Sequence, residues 1–162
     1  MTETHFTAEL DGDELVLTLA ADAVQPVRTA VELLADHLED KWVNQWSPQR
    51  RVVRKDLFPP AYKSRTAQEQ YEQRHGAAAK ADLLAAAQRV LAALAGSQPM
   101  RCPADASDDW IRVLGVARLL YTHRDRPLSN DTLRAQAANF LSAMQHEVLI
   151  ALRPELTEVG KR

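Results

Sequence analysis

Leu57-Phe58-Pro59-Pro60-Ala61-Tyr62 divides this chain in two. Each proline lacks a backbone N–H and fixes its own φ, so two in succession stop any regular element. Phe58 and Tyr62 bracket the pair with large rings, which makes the break an anchored corner and not a slack linker. A basic run, Arg50, Arg51, Arg54 and Lys55, leads into it, and a long alanine-rich stretch without proline leads out.

Downstream, Thr66-Ala67-Gln68-Glu69 matches a capping box and predicts a helix over 66–95. Its first half is polar; its second places Leu84, Ala87, Leu91 and Leu94 on one face, with Leu83 and Val90 beside them. Gly76 weakens the middle and marks a candidate kink, and Gly96 is the expected C-terminal stop. Residues 97–106, with Pro99 and Pro103, read as a loop. Ser107 is expected to cap a helix over 107–124 that buries Trp110, Val113, Leu114, Ala117, Leu120 and Tyr121. Asp108 and Asp109 complement the dipole of its first turn. A break containing Pro127 precedes a last helix over 131–153, with Leu133, Ala137, Phe140, Leu141, Met144, Val148 and Leu152 inward. Pro154 ends that helix, and the tail beyond it is expected to fray.

Upstream, residues 44–65 form a basic, proline-containing connector with a short helical turn expected near 56–62. Connectors this long inside a compact domain are uncommon and often functional. Before it, Val24, Val27, Val31, Leu34 and Leu38, closing at Trp42, fall in 3-4-3-4 steps and predict a helix over 22–43. Asp22 is its expected cap, with Pro26 in about the first turn. Residues 5–20 alternate Phe6, Ala8, Leu10 and then Leu15, Leu17, Leu19 around Asp11-Gly12, the pattern of a β-hairpin. Two strands are marginal alone, so the hairpin must lie on helices or pair with another subunit. Its edge is a candidate dimerisation or partner-docking element.

The expected fold is therefore mainly α: a four-helix bundle-like single domain over 1–162 with an N-terminal β-hairpin. Hydrophobic residues at 46% and charged residues at 26% argue against disorder, and no apolar run is long enough to span a membrane. Residues 1–22 carry six acids and neither lysine nor arginine, the reverse of a signal or transit peptide, so a cytoplasmic location is expected. The single cysteine, Cys102, excludes an intramolecular disulfide and fits a reducing compartment.

The net charge of −2 conceals a segregation. Residues 1–40 sum to −9, residues 41–101 to +7, and residues 102–162 to zero. Solvated faces that help the blocks pack are one reading; a basic patch for an acidic partner or for nucleic acid is the other.

Leu57-Phe58-Pro59-Pro60-Ala61-Tyr62 resembles the LFP-x-AY element of an actinobacterial family, domain of unknown function 2017. The order of parts continues in Arg89-Val90-Leu91-Ala92-Ala93-Leu94, in Asp108-Asp109-Trp110-Ile111-Arg112-Val113-Leu114 and in Arg118-Leu119-Leu120. The resemblance covers about residues 5–153. It implies a small cytoplasmic helical protein of a family loosely described as transcriptional regulators, sometimes with a redox theme, and often encoded near a Clp protease adaptor. It brings no catalytic residue with it.

The residues themselves show no convergent chemistry. The five histidines make no HExxH or other ligand-spaced pair, and no GxSxG, Walker loop or GxGxxG occurs. No metal, no cofactor and no catalytic residue is expected. His37, beside Asp36 and Glu39, reads as a surface helix residue. Cys102, beside Arg101 and ahead of a helix start, is either a loop cysteine without a role or a redox-active thiol whose pKa a cation and helix N-terminus lower. Asn130, Thr132, Arg134 and Gln136 cluster where a recognition helix would read bases, but the six-residue break before them is longer than a DNA-binding turn.

The expectation is a non-enzymatic regulatory protein, a homodimer that binds a protein partner or DNA in transcription control. Arg50, Arg51, Arg54 and Lys55 carry the binding, and Phe58 and Tyr62 fix the connector's path. An adaptor for Clp-type proteolysis and an enzyme of unrecognised type are the alternatives.

Overall fold

A computed structural model describes residues 5–39, 63–121 and 133–159. Strands β1 (Phe6–Asp11) and β2 (Glu14–Leu19) form the expected antiparallel hairpin. Asp11 pairs with Glu14, so Gly12 and Asp13 make the whole turn, and Gly12 takes a φ of +65°. Glycine enters that region without the steric cost of a Cβ, which places the two-residue turn here.

The stretch read as a loop over 97–106 holds a third strand. β3 (Met100–Pro103) pairs antiparallel with β2, giving a sheet of order β1-β2-β3. A turn of 3₁₀ helix (Ala104–Ala106) follows, anchored where the Ala104 N–H donates to the Asp13 carbonyl at 2.9 Å. The register stacks three rows on the inner face: Phe6 with Leu19, Ala8 with Leu17 and Met100, and Leu10 with Leu15 and Cys102. Leu15, Leu17 and Leu19 are all buried, as the alternation predicts.

Helices α1 (Ala21–Leu38), α2 (Arg65–Tyr71), α3 (Ala77–Leu94), α4 (Ser107–Ala117), α5 (Leu133–Leu152) and the short α6 (Leu156–Val159) supply the rest. α1 lies against α3 and α4, α3 against α4, α4 against α5, and β1 runs along α5. One core joins all layers: Leu15 and Leu17 from the sheet, Val31 and Leu34 from α1, Val90 from α3, Leu114 from α4, and Leu141, Met144 and Val148 from α5. The chain is mainly helical with an N-terminal β-hairpin. Among the described residues no helix is long and apolar enough to cross a membrane.

Several local expectations shift. α1 starts one residue early with Ala20 at the N-cap, so Asp22 sits in the first turn and caps nothing. Pro26 falls at the sixth helical position, past the first turn, and leaves the Asp22 carbonyl without its i+4 donor. Trp42 lies outside the described residues. Ser64, not Thr66, caps α2: its Oγ accepts from the Ala67 N–H at 3.4 Å. The candidate kink at Gly76 is a π-helical segment, Glu72–Gly76, joining α2 to α3. On α3 the buried face centres on Leu83, Ala86, Ala87, Val90 and Leu94, with Leu84 and Leu91 only half-buried. α3 ends before Gly96 with no left-handed residue; the Gly96 N–H closes a tight bond to Ala93 O at 3.1 Å. Ser107 does not cap α4, since its hydroxyl donates back to the Ala104 carbonyl. That helix tightens into a 3₁₀ turn over Arg118–Tyr121. Beyond Pro154 the chain forms the short α6 where a frayed end was expected.

Candidate interaction surface

Strand alternation sends Thr7, Glu9 and Asp11, Glu14, Val16 and Thr18, and Arg101 and Pro103 to the outer face of the sheet. This face is acidic toward the turn, where one cation serves two carboxylates. Arg101 Nη1 donates to Asp11 Oδ2 and Glu14 Oε2, both at 3.1 Å. Those bonds, to Asp11 and then Glu14, hold the guanidinium above its usual pKa. The clasp ties all three strands together at the turn end, on residues 87 and 90 positions apart in the chain.

Cys102 points the other way. It sits across from Leu15 on the inner face, half-buried and unpaired as a free thiol. Burial pushes its pKa up, and the carboxylates of Asp109, Asp105 and Glu14 push it further. Arg101 is its chain neighbour, but the alternation of β3 turns that cation to the opposite face. Lowering of the thiol pKa by a nearby cation, the premise of a reactive cysteine, is thus reversed. Because the raised pKa withholds thiolate near neutrality, iodoacetamide labelling of the native protein is expected to need a higher pH than labelling of the urea-unfolded chain. Coincident pH profiles would contradict this account of the thiol.

Beside Cys102, Arg89 reaches from α3 to the first turn of α4. Its Nε and Nη2 donate to Asp109 Oδ2 and Oδ1 at 2.6 and 2.9 Å, a bidentate fork. The fork holds the Asp109 carboxyl below its usual range against opposing desolvation.

The histidines stay apart. His5 lies 3.6 Å from Asp22. His37 is not the surface residue its neighbours suggested: it is half-buried, its Nδ1 is 2.8 Å from the Leu33 carbonyl, and among the described residues its buried Nε2 has no hydrogen-bond partner. Among the described residues no group of three or more His, Cys, Asp or Glu is arranged to hold a metal ion. Arg50, Arg51, Arg54, Lys55, Phe58 and Tyr62, together with Asn130 and Thr132, lie outside the described residues; Cys102 is placed, and of the candidate base-reading cluster Gln136 lies exposed on α5.

Sheet order, the α3–α4 fork and the hairpin seat are thus defined for a chain whose residues 2–152 match one family model, the domain of unknown function (DUF2017). The chain belongs to that family. The match spans the three strands and every helix through α5, and stops short of α6. No curated protein and no solved structure matches this DUF2017 chain.

Proposed function

We propose that this DUF2017 chain is a non-enzymatic regulatory protein of the cytoplasm that acts as a homodimer by binding another macromolecule, in transcription control. The observation that carries the reading is the placement of charge. Among the described residues, Arg28, Arg65, Arg89, Arg101 and Arg153 each lie within ion-pair distance of a carboxylate in the same chain. Within residues 41–101, which sum to +7, the densest run of bases is Arg50, Arg51, Arg54 and Lys55. Four bases in six residues suit charge-assisted pairing with an acidic protein or with phosphates. Phe58 and Tyr62, just after the run, supply anchors for its path.

The test replaces the four bases with glutamate and compares native capture and salt-dependent DNA binding with the unaltered chain. Loss of capture by at least an order of magnitude, with the far-ultraviolet circular dichroism unchanged, is expected. Undiminished capture would overturn the assignment of these residues. A binding constant that falls steeply with salt on DNA alone selects nucleic acid as the partner. Copurification of a Clp-type ATPase selects the proteolysis adaptor instead.

A further inference from the structure

The two edges of the sheet are chemically unequal. In a two-residue hairpin the residues flanking the turn form a hydrogen-bonded pair, here Asp11 and Glu14. Asp11, Glu9 and Thr7 therefore direct their backbone groups toward β2, and the bond from the Ala20 N–H to the His5 carbonyl at 2.9 Å continues that phase. The N–H and C=O groups of Phe6, Ala8 and Leu10 point away from the sheet, and among the described residues no hydrogen bond reaches them.

Along β3 the same accounting gives a closed edge. Leu15 and Leu17 bond Cys102 and Met100, and the Leu19 N–H, next in phase, is taken by Gln98 Oε1 at 2.9 Å. The outward positions are Arg101 and Pro103, with Pro99 just before the strand; neither proline has an N–H to offer. Prolines on an edge strand prevent further pairing. β1 lacks these devices: it holds no proline and no lysine, and although α5 runs along it, Thr7, Glu9 and Leu10 stay exposed, Leu10 by 42%.

We propose that the open edge of β1 pairs antiparallel with β1 of a second copy, with Ala8 opposite Ala8 on the two-fold axis, joining two sheets into one of six strands. Complementarity selects both the occupant and the register. With Ala8 on the axis, all three outward residues bond one another, Phe6 to Leu10, Ala8 to Ala8 and Leu10 to Phe6. Glu9 then faces Thr7, Asp11 faces His5, and the exposed Leu10 comes opposite Phe6, which is itself buried in its own protomer. Moving the axis one residue toward the turn sets Glu9 against Glu9, and moving it two sets Glu9 against Asp11, pairs that like charge disfavours. Moving it one residue the other way leaves Leu10 opposite a residue beyond the strand. The inference rests on the homodimeric part of the proposed function and not on its partner-binding part.

Disulfide trapping reads the register directly. Thr7 and Glu9 of opposing copies form a non-hydrogen-bonded pair, whose Cα separation of about 4.5 Å suits a disulfide. Thr7→Cys and Glu9→Cys are prepared separately in a Cys102→Ser background, and both residues are exposed on the outer face. Mixed and oxidised, they are expected to give a cross-linked dimer; each alone gives none, because residue 7 lies two positions out of register with its own copy. Light scattering over a micromolar to millimolar dilution series is expected to show a concentration-dependent dimer for the unaltered chain. Ala8→Pro, which removes an N–H not used within the protomer, is expected to abolish that dimer with the circular dichroism unchanged. A monomer throughout the series overturns both the edge contact and the homodimer. A dimer that gives no cross-link in the mixture, or cross-links equally in each variant alone, overturns the edge contact and leaves the homodimer standing.

Discussion

Leu17→Ala is expected to remove about 2–5 kcal/mol from the free energy of unfolding. The side chain is fully buried on the central strand, with Ala8 across from it on β1 and Met100 across from it on β3. It belongs to the same core as Val31 and Leu34 of α1 and Met144 of α5, so the void would open between sheet and helices and not within the sheet alone. Ala8 is too small to fill that void, whereas Met100 is unbranched and can swing part-way into it, which moves the expectation away from the upper limit. A domain of this kind has about 5–15 kcal/mol in total, so one methyl-rich side chain accounts for a large fraction of it. Thr18→Ala, on the exposed outer face of the same strand, is expected to stay within about 0.5 kcal/mol. Urea unfolding followed by circular dichroism separates the two: the midpoint falls steeply for Leu17→Ala at unchanged m-value and hardly moves for Thr18→Ala. Equal midpoints would mean that the sheet is not part of the helical core.

Where apolar periodicity ran long, the fold was legible in the residues. Leu15, Leu17 and Leu19 alternate over a whole strand, and Trp110, Val113, Leu114 and Ala117 recur over about two helical turns; both sets are buried where expected. The misses share a cause in short or ambiguous signals. β3 is four residues long with a proline at its end and another just before it, a context that demotes a strand on local grounds. Its Met100-Arg101-Cys102 alternation becomes meaningful only with Leu15 and Leu17 beside it, some 85 residues away in the chain. On α3 the alanines dilute the pattern: Ala86 and Ala87 occupy the buried face as fully as leucines, so Leu83 and Leu84 compete for it on equal terms. Thr66-Ala67-Gln68-Glu69 satisfies the capping pattern, yet Ser64 stands two residues earlier with the same chemistry and takes the role. For Cys102 the error was one of sign. Chain adjacency to Arg101 suggested a cation beside the thiol, while strand geometry puts adjacent side chains on opposite faces and leaves the thiol among carboxylates. The Arg101 clasp and the Arg89 fork depend on long-range pairing and had no local signal to find.

Gly115→Leu is expected to destabilise the chain by about 1–3 kcal/mol through overpacking, at a contact that no sequence pattern announces. Gly115 lies in α4 where α5 crosses it, and the Gln145 side chain uses the missing Cβ to reach over the helix. Its Nε2 donates to the Ile111 carbonyl at 3.0 Å, adding a second donor to a group that already belongs to the helical ladder. A Cβ built on Gly115 would stand 2.6 Å from that Nε2 and 3.3 Å from the amide carbon, so any side chain here must displace Gln145. The opposing term is helix propensity, since glycine inside a helix is worse than alanine by about 1 kcal/mol. For Gly115→Ala the two nearly cancel: the gain in propensity meets the loss of one hydrogen bond, itself worth about 0.5–1.5 kcal/mol. A leucine adds volume that the half-buried site has no room for, and the balance turns to loss. The mechanism predicts a coupling. In a Gln145→Ala background the obstruction is gone, so Gly115→Leu should cost far less than it does alone, and Gly115→Ala should become stabilising. A double-mutant cycle on urea midpoints measures the difference directly. If Gly115→Leu costs the same in both backgrounds, the Gln145 crossing is not what reserves this position for glycine.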